Sequence, residues 1–483
     1  MRKLRIGLAG LMQRNFSGDK ESQYARSRAE LGALQDELGF ELFAVREGVY
    51  TEEDAWQAKR ELESAGIDFL LIQSSSFASG ALVTVLARTN AFLGLWAVPE
   101  PAASGPLPLN SFCGMNMNGS IIGTYLTGWK TPVKWFYGQV ADGLFRDRFR
   151  LTVRALRAVV SLRESKIALV GGIANGFNNL YFDERRLAAR FGIRLYRHEF
   201  AEIKDRVLAS KPEDLQDITE AFAADAWAIA PPAQAAMPRN AAVFKAFADL
   251  ARENGYAGLA VSCWPKFRLE LGMVICAAAG RLGEEGLPVA CEGDVYGLVS
   301  MLALRHLAGA PAMLLDLVDL DEADQTVQLW HCGVGCKSLA YRGQVKFNTH
   351  FNPTLIPGKG PVPAAPVAEM VLAPRQATVA RFTGDGDSFF LFTGAFDRPE
   401  KGGFDGSRGW LGLLRMEGRP ISVRDLVNSI MIHNVPHHYA LVLDNVADPL
   451  REMAGWLGLR AQQRVAYRDY LQGGEDDGAL SPL

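Results

Sequence analysis

The feature that most constrains this chain is a rhythm. Through the first two thirds, short apolar runs alternate with amphipathic stretches. Such runs are strands buried on both faces, and the stretches between them are crossover helices, so the pattern predicts parallel sheets. In the first segment, strands are predicted at 4–9, 40–45, 69–73 and 92–98. Helices are predicted over 21–38, with Gly39 as the C-cap, and over 142–161. Before the second helix the Pro-rich PEPAASGPLPLN runs into SFCGMNMNGS, which reads as an irregular loop.

A second series begins at Lys166. Its strands are predicted at 167–170, 194–197, 226–230, 258–261, 288–291, 312–317 and 326–330. This reads as a second doubly wound domain, and in such sheets ligands bind outside the carboxyl ends of the strands. Beyond residue 350 the texture changes. Pro353, Pro357, Pro361, Pro363 and Pro366 punctuate a linker, and ATVARFT and SFFLFTGAF flank the turn GDGD. That segment predicts an antiparallel, partly barrel-like domain closed by a helix over 448–457, with a mobile tail, GGEDDGALSPL. A chain of 483 residues exceeds one ordinary core. The expected division is therefore two α/β domains, 1–164 and 165–350, and a β-rich domain, 351–483.

Lys and Arg number 51 against 54 Asp and Glu, a net charge of -3, which argues against a nucleic-acid binder. The opening MRKLRIGLAG has too short an apolar run for a secretion signal, and no stretch approaches a membrane span. Six cysteines lie scattered at 113, 263, 276, 291, 332 and 336, several inside apolar runs, as in a protein of the reducing cytoplasm.

Three consecutive predicted strands run into metal-capable side chains: Glu292 and Asp294, then Asp316, then His331. Carboxylates and imidazole on adjoining strand ends can converge above a sheet, where they suit Mn²⁺, Mg²⁺ or a similar divalent ion. The plainer alternative is that these acids cap the helix VYGLVSMLALRHLA, and for Asp294 capping is the preferred reading. Of seven histidines, His433, His437 and His438 share the string MIHNVPHHYALVL. Successive strand residues face opposite ways, so at most one of His437 and His438 is expected in a given site. The His331-Cys332-x3-Cys336 spacing lacks the second pair of a structural zinc site. Gly171-Gly172-x3-Gly176 reads as a tight strand-to-helix turn, lacking the endings of a phosphate loop. The amides of residues 113–119 can hydrogen-bond sugar hydroxyls, or belong to an ordinary connection.

Taken together, CEGDVYGLVSMLALRHLAG, PAMLLDLVD, VQLWHCG and VPHHYALVL resemble the L-fucose/L-arabinose isomerase family, across residues 260–350 and again near 430–450. The resemblance implies two Rossmann-like domains, a C-terminal β-rich domain, Mn²⁺ dependence and a homo-oligomer, trimer or hexamer, in which a neighbouring subunit helps close the site. It implies Glu292 and Asp316 as the acid/base pair and as metal ligands, with His438, and His331 as in the arabinose branch. Asp316 leans the chain toward the fucose branch, where the arabinose branch carries Glu. Asn116, Asn118, Trp264 and Arg14 are the candidate sugar contacts, the amide-rich stretch being the candidate inter-subunit element. The expected reaction is an aldose–ketose exchange through an enediol(ate), with one carboxylate, taken as Glu292, as the carbon base and the other handling the hydroxyl proton. Two alternatives stand beside it. One is an isomerase of an anionic modified sugar such as sulfoquinovose, with Arg14, Lys20, Lys266 and Arg268 as candidate cations. The other is a non-catalytic sugar-binding protein on the same scaffold.

Overall fold

A computed structural model describes residues 2–126, 132–352, 354–356, 360–362 and 364–472. Pro353, Pro357, Pro363 and the tail from Gly473 lie outside the described residues, and so do the expectations placed on them. The chain divides into two units: residues 1–161 with 452–458, and residues 162–451 with 459–483. Among the described residues no helix is long and apolar enough to cross a membrane.

The first unit is built on a parallel sheet in the order Phe40–Ala44, Leu4–Leu11, Phe69–Ser74, Phe92–Ala97, Val133–Tyr137. Every residue of Phe69–Ser74 and of Phe92–Ala97 is buried, as both-face burial of the apolar runs requires. Thr51 opens the helix Glu52–Ser64 with a capping box to Asp54. Gly39 ends the helical stretch before Phe40 in the left-handed region, at φ 72°. Trp456 packs edge-on against Phe69 and Phe92 beneath this sheet. SFCGMNMNGS is not a loop: it is the α-helix Ser111–Ser120. Its glycines and asparagines are weak helix formers, but Ser111, Gly114, Met115 and Asn118 form a buried stripe at helical spacing, and that packing overrides propensity.

The second unit holds two sheets. The smaller is parallel, in the order Val289–Ala290, Tyr256–Val261, Lys166–Val170, Arg194–His198. The larger is mixed. Six of its strands pair in a closed ring: Met313–Asp321, Thr326–His331, Ser407–Met416, Ser388–Ala395, Gln376–Phe382 and His438–Val442. Two predicted strands therefore change place. The apolar runs at 312–317 and 326–330 were expected in the parallel sheet, but they are antiparallel neighbours in this ring. The turn at residues 322–325 is too short for the crossover that parallel pairing needs. The ring draws strands from both sides of residue 350, and the two stretches belong to one unit. The run at 226–230 contributes only Ala228–Ile229, paired with Lys346–Asn348.

Candidate active site

Glu292 stands at the carboxyl end of the parallel sheet. The strand Val289–Ala290 passes directly into the turn Cys291–Gly293, and Glu292 adopts φ 61°, ψ 14°. A non-glycine residue in the left-handed region costs about 1–3 kcal/mol, and such strain gathers at functional sites. The cause here is a close approach. A Cβ on Gly293 would lie 2.2 Å from the carbonyl oxygen of Gly172, and the Ala174 N–H donates to the Glu292 carbonyl at 3.0 Å. The Gly171-Gly172 turn thus seats the turn that carries Glu292.

Asp316 comes from a different sheet. It lies within Met313–Asp321, and its register partners are Trp330 on one side and His438 on the other. The two carboxylates are therefore not on adjoining strand ends as expected, because the strand of Asp316 joins the ring and not the parallel sheet. They still meet in one pocket, whose wall includes Glu292, Asp316, His331, Cys332, Trp264 and Arg268.

Asp294 does more than cap. Its Oδ1 accepts the Gly297 N–H at 2.8 Å, as the capping reading requires. Its Oδ2 takes the Arg381 guanidinium and the Nδ1–H of His438, the latter at 2.8 Å. All three side chains are buried, Asp294 at 0%, Arg381 and His438 at 1% exposure. Burial pushes the Asp294 carboxyl up, but Arg381 and His438 together hold it well below the usual carboxylate range. An ionised Asp294 only accepts, so a ring proton of His438 sits on Nδ1, and in the neutral tautomer Nε2 is the nitrogen that presents a lone pair. That lone pair lies 3.4 Å from Glu292 Oε2 and 3.8 Å from Asp316 Oδ1.

His437 also enters the site, against the one-face expectation. The strand begins at His438, so His437 lies in the preceding turn and period-two alternation does not govern it. The amide of Asn179 donates to His437 Nδ1 at 3.0 Å, leaving Nε2–H to donate to Glu292 Oε2 at 3.2 Å. His331 completes the group, its ring centroid 5.7 Å from that of His438. Burial opposes a charge on His331, but Cys332 and Asp316 outweigh it and push its pKa up to about 10. Burial raises the Asp316 carboxyl.

The donor atoms test the implied cation directly. Asp316, His331 and His438 offer atoms within 4.8 Å of one another, and so do Glu292, His437 and His438. Among the described residues His438 Nε2 and Asp316 Oδ1 are buried without a hydrogen bond. His331 Nδ1 accepts the Cys332 N–H at 2.8 Å, so its Nε2 carries a proton that it must release before it can hold a cation. Lone pairs facing carboxylates in a buried pocket repel unless a cation lies among them. Carboxylate oxygens with imidazole nitrogens form the mixed hard set that Mn²⁺ and its neighbours accept. The residues fit the ion.

Trp264 lines this pocket, whereas Arg14, Asn116 and Asn118 belong to the first unit and are not among its lining residues. Arg14 is exposed over the Tyr50 ring, Asn116 is exposed, and Asn118 is buried with its amide donating to Ser74 Oγ. Sequence reasoning missed Arg381, the orienting role of Asp294, and the pairing of His437 with Glu292. It also missed a thiol group in the wall: Cys276 Sγ lies 3.5 Å from Cys332 Sγ, with a His350 ring nitrogen within 4.8 Å of both. The one available signal was Cys332 beside His331; Cys276 is too far along the chain for any spacing rule.

No protein-family model matches the chain. A sulfoquinovose isomerase of Priestia aryabhattai is 30% identical over 284 residues, covering 57% of this chain and 61% of that enzyme. The match thus spans less than two thirds of that relative. The sulfoquinovose isomerase of Alkalicoccus urumqiensis is 27% identical over 396 residues, covering 80% of this chain and 84% of the relative. That of Clostridium sp. (strain MSTE9) is 27% identical over 406 residues, covering 81% and 85%. Among solved structures, an ABC transporter solute binding protein from Agrobacterium vitis bound with alpha-D-tagatopyranose is 13% identical and covers 64% of this chain and 90% of that one. Its TM-score is 0.17, too low to carry an argument.

Proposed function

We propose that this chain is a divalent-metal-dependent aldose–ketose isomerase, and that its sugar is a hexose carrying an anionic group. The observation that carries the reading is the convergence of Glu292, from the carboxyl end of the parallel sheet, with Asp316, His331 and His438, from strands of the ring. Similarity to sulfoquinovose isomerases over four fifths of the chain supports the reaction class and favours a sulfonated hexose over neutral fucose or arabinose.

The reaction moves a proton between C1 and C2 of the open-chain sugar. A carbon acid beside a carbonyl is weak, so it needs a positioned base and help at the oxygens. In this reading Glu292 takes the proton from C2 and returns it to C1. The left-handed backbone projects its carboxylate from the turn, and the His437 Nε2–H fixes Oε2. Asp316, its carboxyl raised by burial, exchanges the hydroxyl proton. Glu292, Asp316 and His438, with His331, would hold Mn²⁺ or a related ion, which supplies polarisation of the carbonyl and offsets the charge of the acidic pair. Asp294 keeps the His438 lone pair aimed at that position.

The decisive experiment uses chelator-stripped protein with and without Mn²⁺. Sulfoquinovose, glucose 6-phosphate, glucose, fucose and arabinose are assayed for ketose formation and for deuterium uptake at C2. Metal-dependent ketose formation from an anionic hexose is the expected result. If stripped protein turns over sugar unchanged, the metal assignment fails; if no sugar exchanges its C2 proton under any condition, the enzyme reading fails. The same reading includes a homo-oligomer, testable by light scattering, and a cytoplasmic location, supported by six free cysteines.

A further inference from the structure

We infer that Arg268, held against Trp264, is the residue that recognises the anionic group of the sugar and sets the preference for a charged substrate. The inference rests on the isomerase reading above. Its starting point is an electrostatic problem. A pocket that presents Glu292 and Asp316 repels an anionic sugar, so such a substrate needs a fixed cation at a second point.

Among the described residues that line the pocket, Arg268 is the one Arg or Lys. Its place in the fold is not incidental. The strand Tyr256–Val261 pairs directly with Val289–Ala290, the strand that delivers Glu292. Chain leaving its carboxyl end passes through Trp264 into the helix Lys266–Leu271, which carries Arg268. Carboxylate and guanidinium thus issue from neighbouring strand ends on the edge where ligands enter parallel sheets.

The side chain is also prepared for an anion. Arg268 is only 9% exposed, an uncommon state for arginine, and its guanidinium lies 4.2 Å from the centroid of the Trp264 ring. A guanidinium over an indole face is attracted by the ring, which limits how far its charged head can wander. The guanidinium fork matches the oxygens of a sulfonate or a phosphate, which a neutral hydroxymethyl group cannot replace. The other sequence candidates fall away. Arg14 is exposed over Tyr50, Lys20 donates to the Phe16 carbonyl, and Lys266 is exposed over Phe200.

Sulfonate and phosphate share this chemistry, so the test carries both. The intact chain, loaded with Mn²⁺, is compared with Arg268→Met and Arg268→Lys on sulfoquinovose, glucose 6-phosphate and glucose. The expected result is that the ratio of kcat/KM for the preferred anionic hexose over glucose falls by about 100-fold in Arg268→Met, mainly through KM, and by less in Arg268→Lys. A purely structural role would lower all substrates together and leave the ratio alone; that outcome overturns the inference. Thermal unfolding of each variant monitors folding. A second measurement does not need turnover: equilibrium binding of methyl α-sulfoquinovoside and of methyl α-glucoside to the unsubstituted chain and to Arg268→Met. Arg268-dependent binding of the sulfonated glycoside, without turnover of any sugar, would sink the isomerase reading and keep the anion site. Turnover with an unchanged substrate ratio would do the reverse.

Discussion

Asp294 Oδ2 accepts the Nδ1–H of His438 at 2.8 Å, and the same carboxylate receives Arg381. One buried acid therefore caps a helix, neutralises a buried guanidinium and fixes which nitrogen of His438 faces Glu292 and Asp316. The helix Val295–Ala308 and the strand His438–Val442 are tied together at the point where the candidate metal site begins.

Two substitutions separate these roles. Asp294→Asn keeps an oxygen for the Gly297 N–H but loses the charge that orients His438. Mn²⁺ affinity should fall about 10–100-fold, read by titration calorimetry, and stability should fall by about 3–5 kcal/mol because Arg381 is left buried without its counter-charge. Arg381→Met leaves Asp294 buried beside His438 without its guanidinium and should cost about 3–5 kcal/mol in urea unfolding. If Arg381→Met costs under about 1 kcal/mol, the ion pair is not what compensates Asp294.

Glu292 combines a chemical role with a strained backbone. Glu292→Gln should abolish turnover and C2 proton exchange while the protein remains folded, and near-normal activity would remove Glu292 from the mechanism. Glu292→Gly should be equally inactive yet more stable than the Gln variant by about 1 kcal/mol, because glycine occupies φ 61° without penalty. Equal unfolding midpoints for the two variants would show that the turn carries no strain.

How much of this was legible in the sequence depended on the range of the interaction. Strand rhythm located Leu4–Leu11, Phe69–Ser74 and Phe92–Ala97 within two residues, because burial on both faces writes itself as a continuous apolar run. The same rhythm misassigned Met313–Asp321 and Thr326–His331: an apolar run does not record its partner's direction, and only the short turn between them does. Glu292 and Asp316 stood out by type and neighbourhood. Arg381 and Asn179 did not, since each acts through a contact made across many residues by a side chain common on surfaces. SFCGMNMNGS misled for the opposite reason, its local composition arguing for a loop while its buried stripe made a helix.

The Asn179–His437–Glu292 chain predicts a graded response. His437→Gln retains a donor for Glu292, whereas His437→Phe removes it. Both variants should bind Mn²⁺, but the Phe form should lose about 10–100-fold in kcat with little change in KM, and the Gln form should recover part of it. Identical kinetics for the two would mean that His437 fills space and does not hold the carboxylate.

A final prediction concerns acid stability and lies outside the pocket. His306 sits in the last turn of Val295–Ala308, the helix that Asp294 caps, and among the described residues neither ring nitrogen has a hydrogen-bond partner. Burial, helped by Arg305, pushes its pKa down from 6.5 to about 4. Between those values the unfolded chain binds a proton that the folded chain refuses, so stability falls as pH drops from 6.5 toward 4 and is unaffected by this group above that window. His306→Leu removes this proton uptake. Urea unfolding at pH 7.5 should place the two proteins within a small, constant offset, whereas at pH 5 the variant should gain on the native chain by the missing proton uptake. A pH-independent offset between them would show that His306 is protonated alike in the folded and unfolded states.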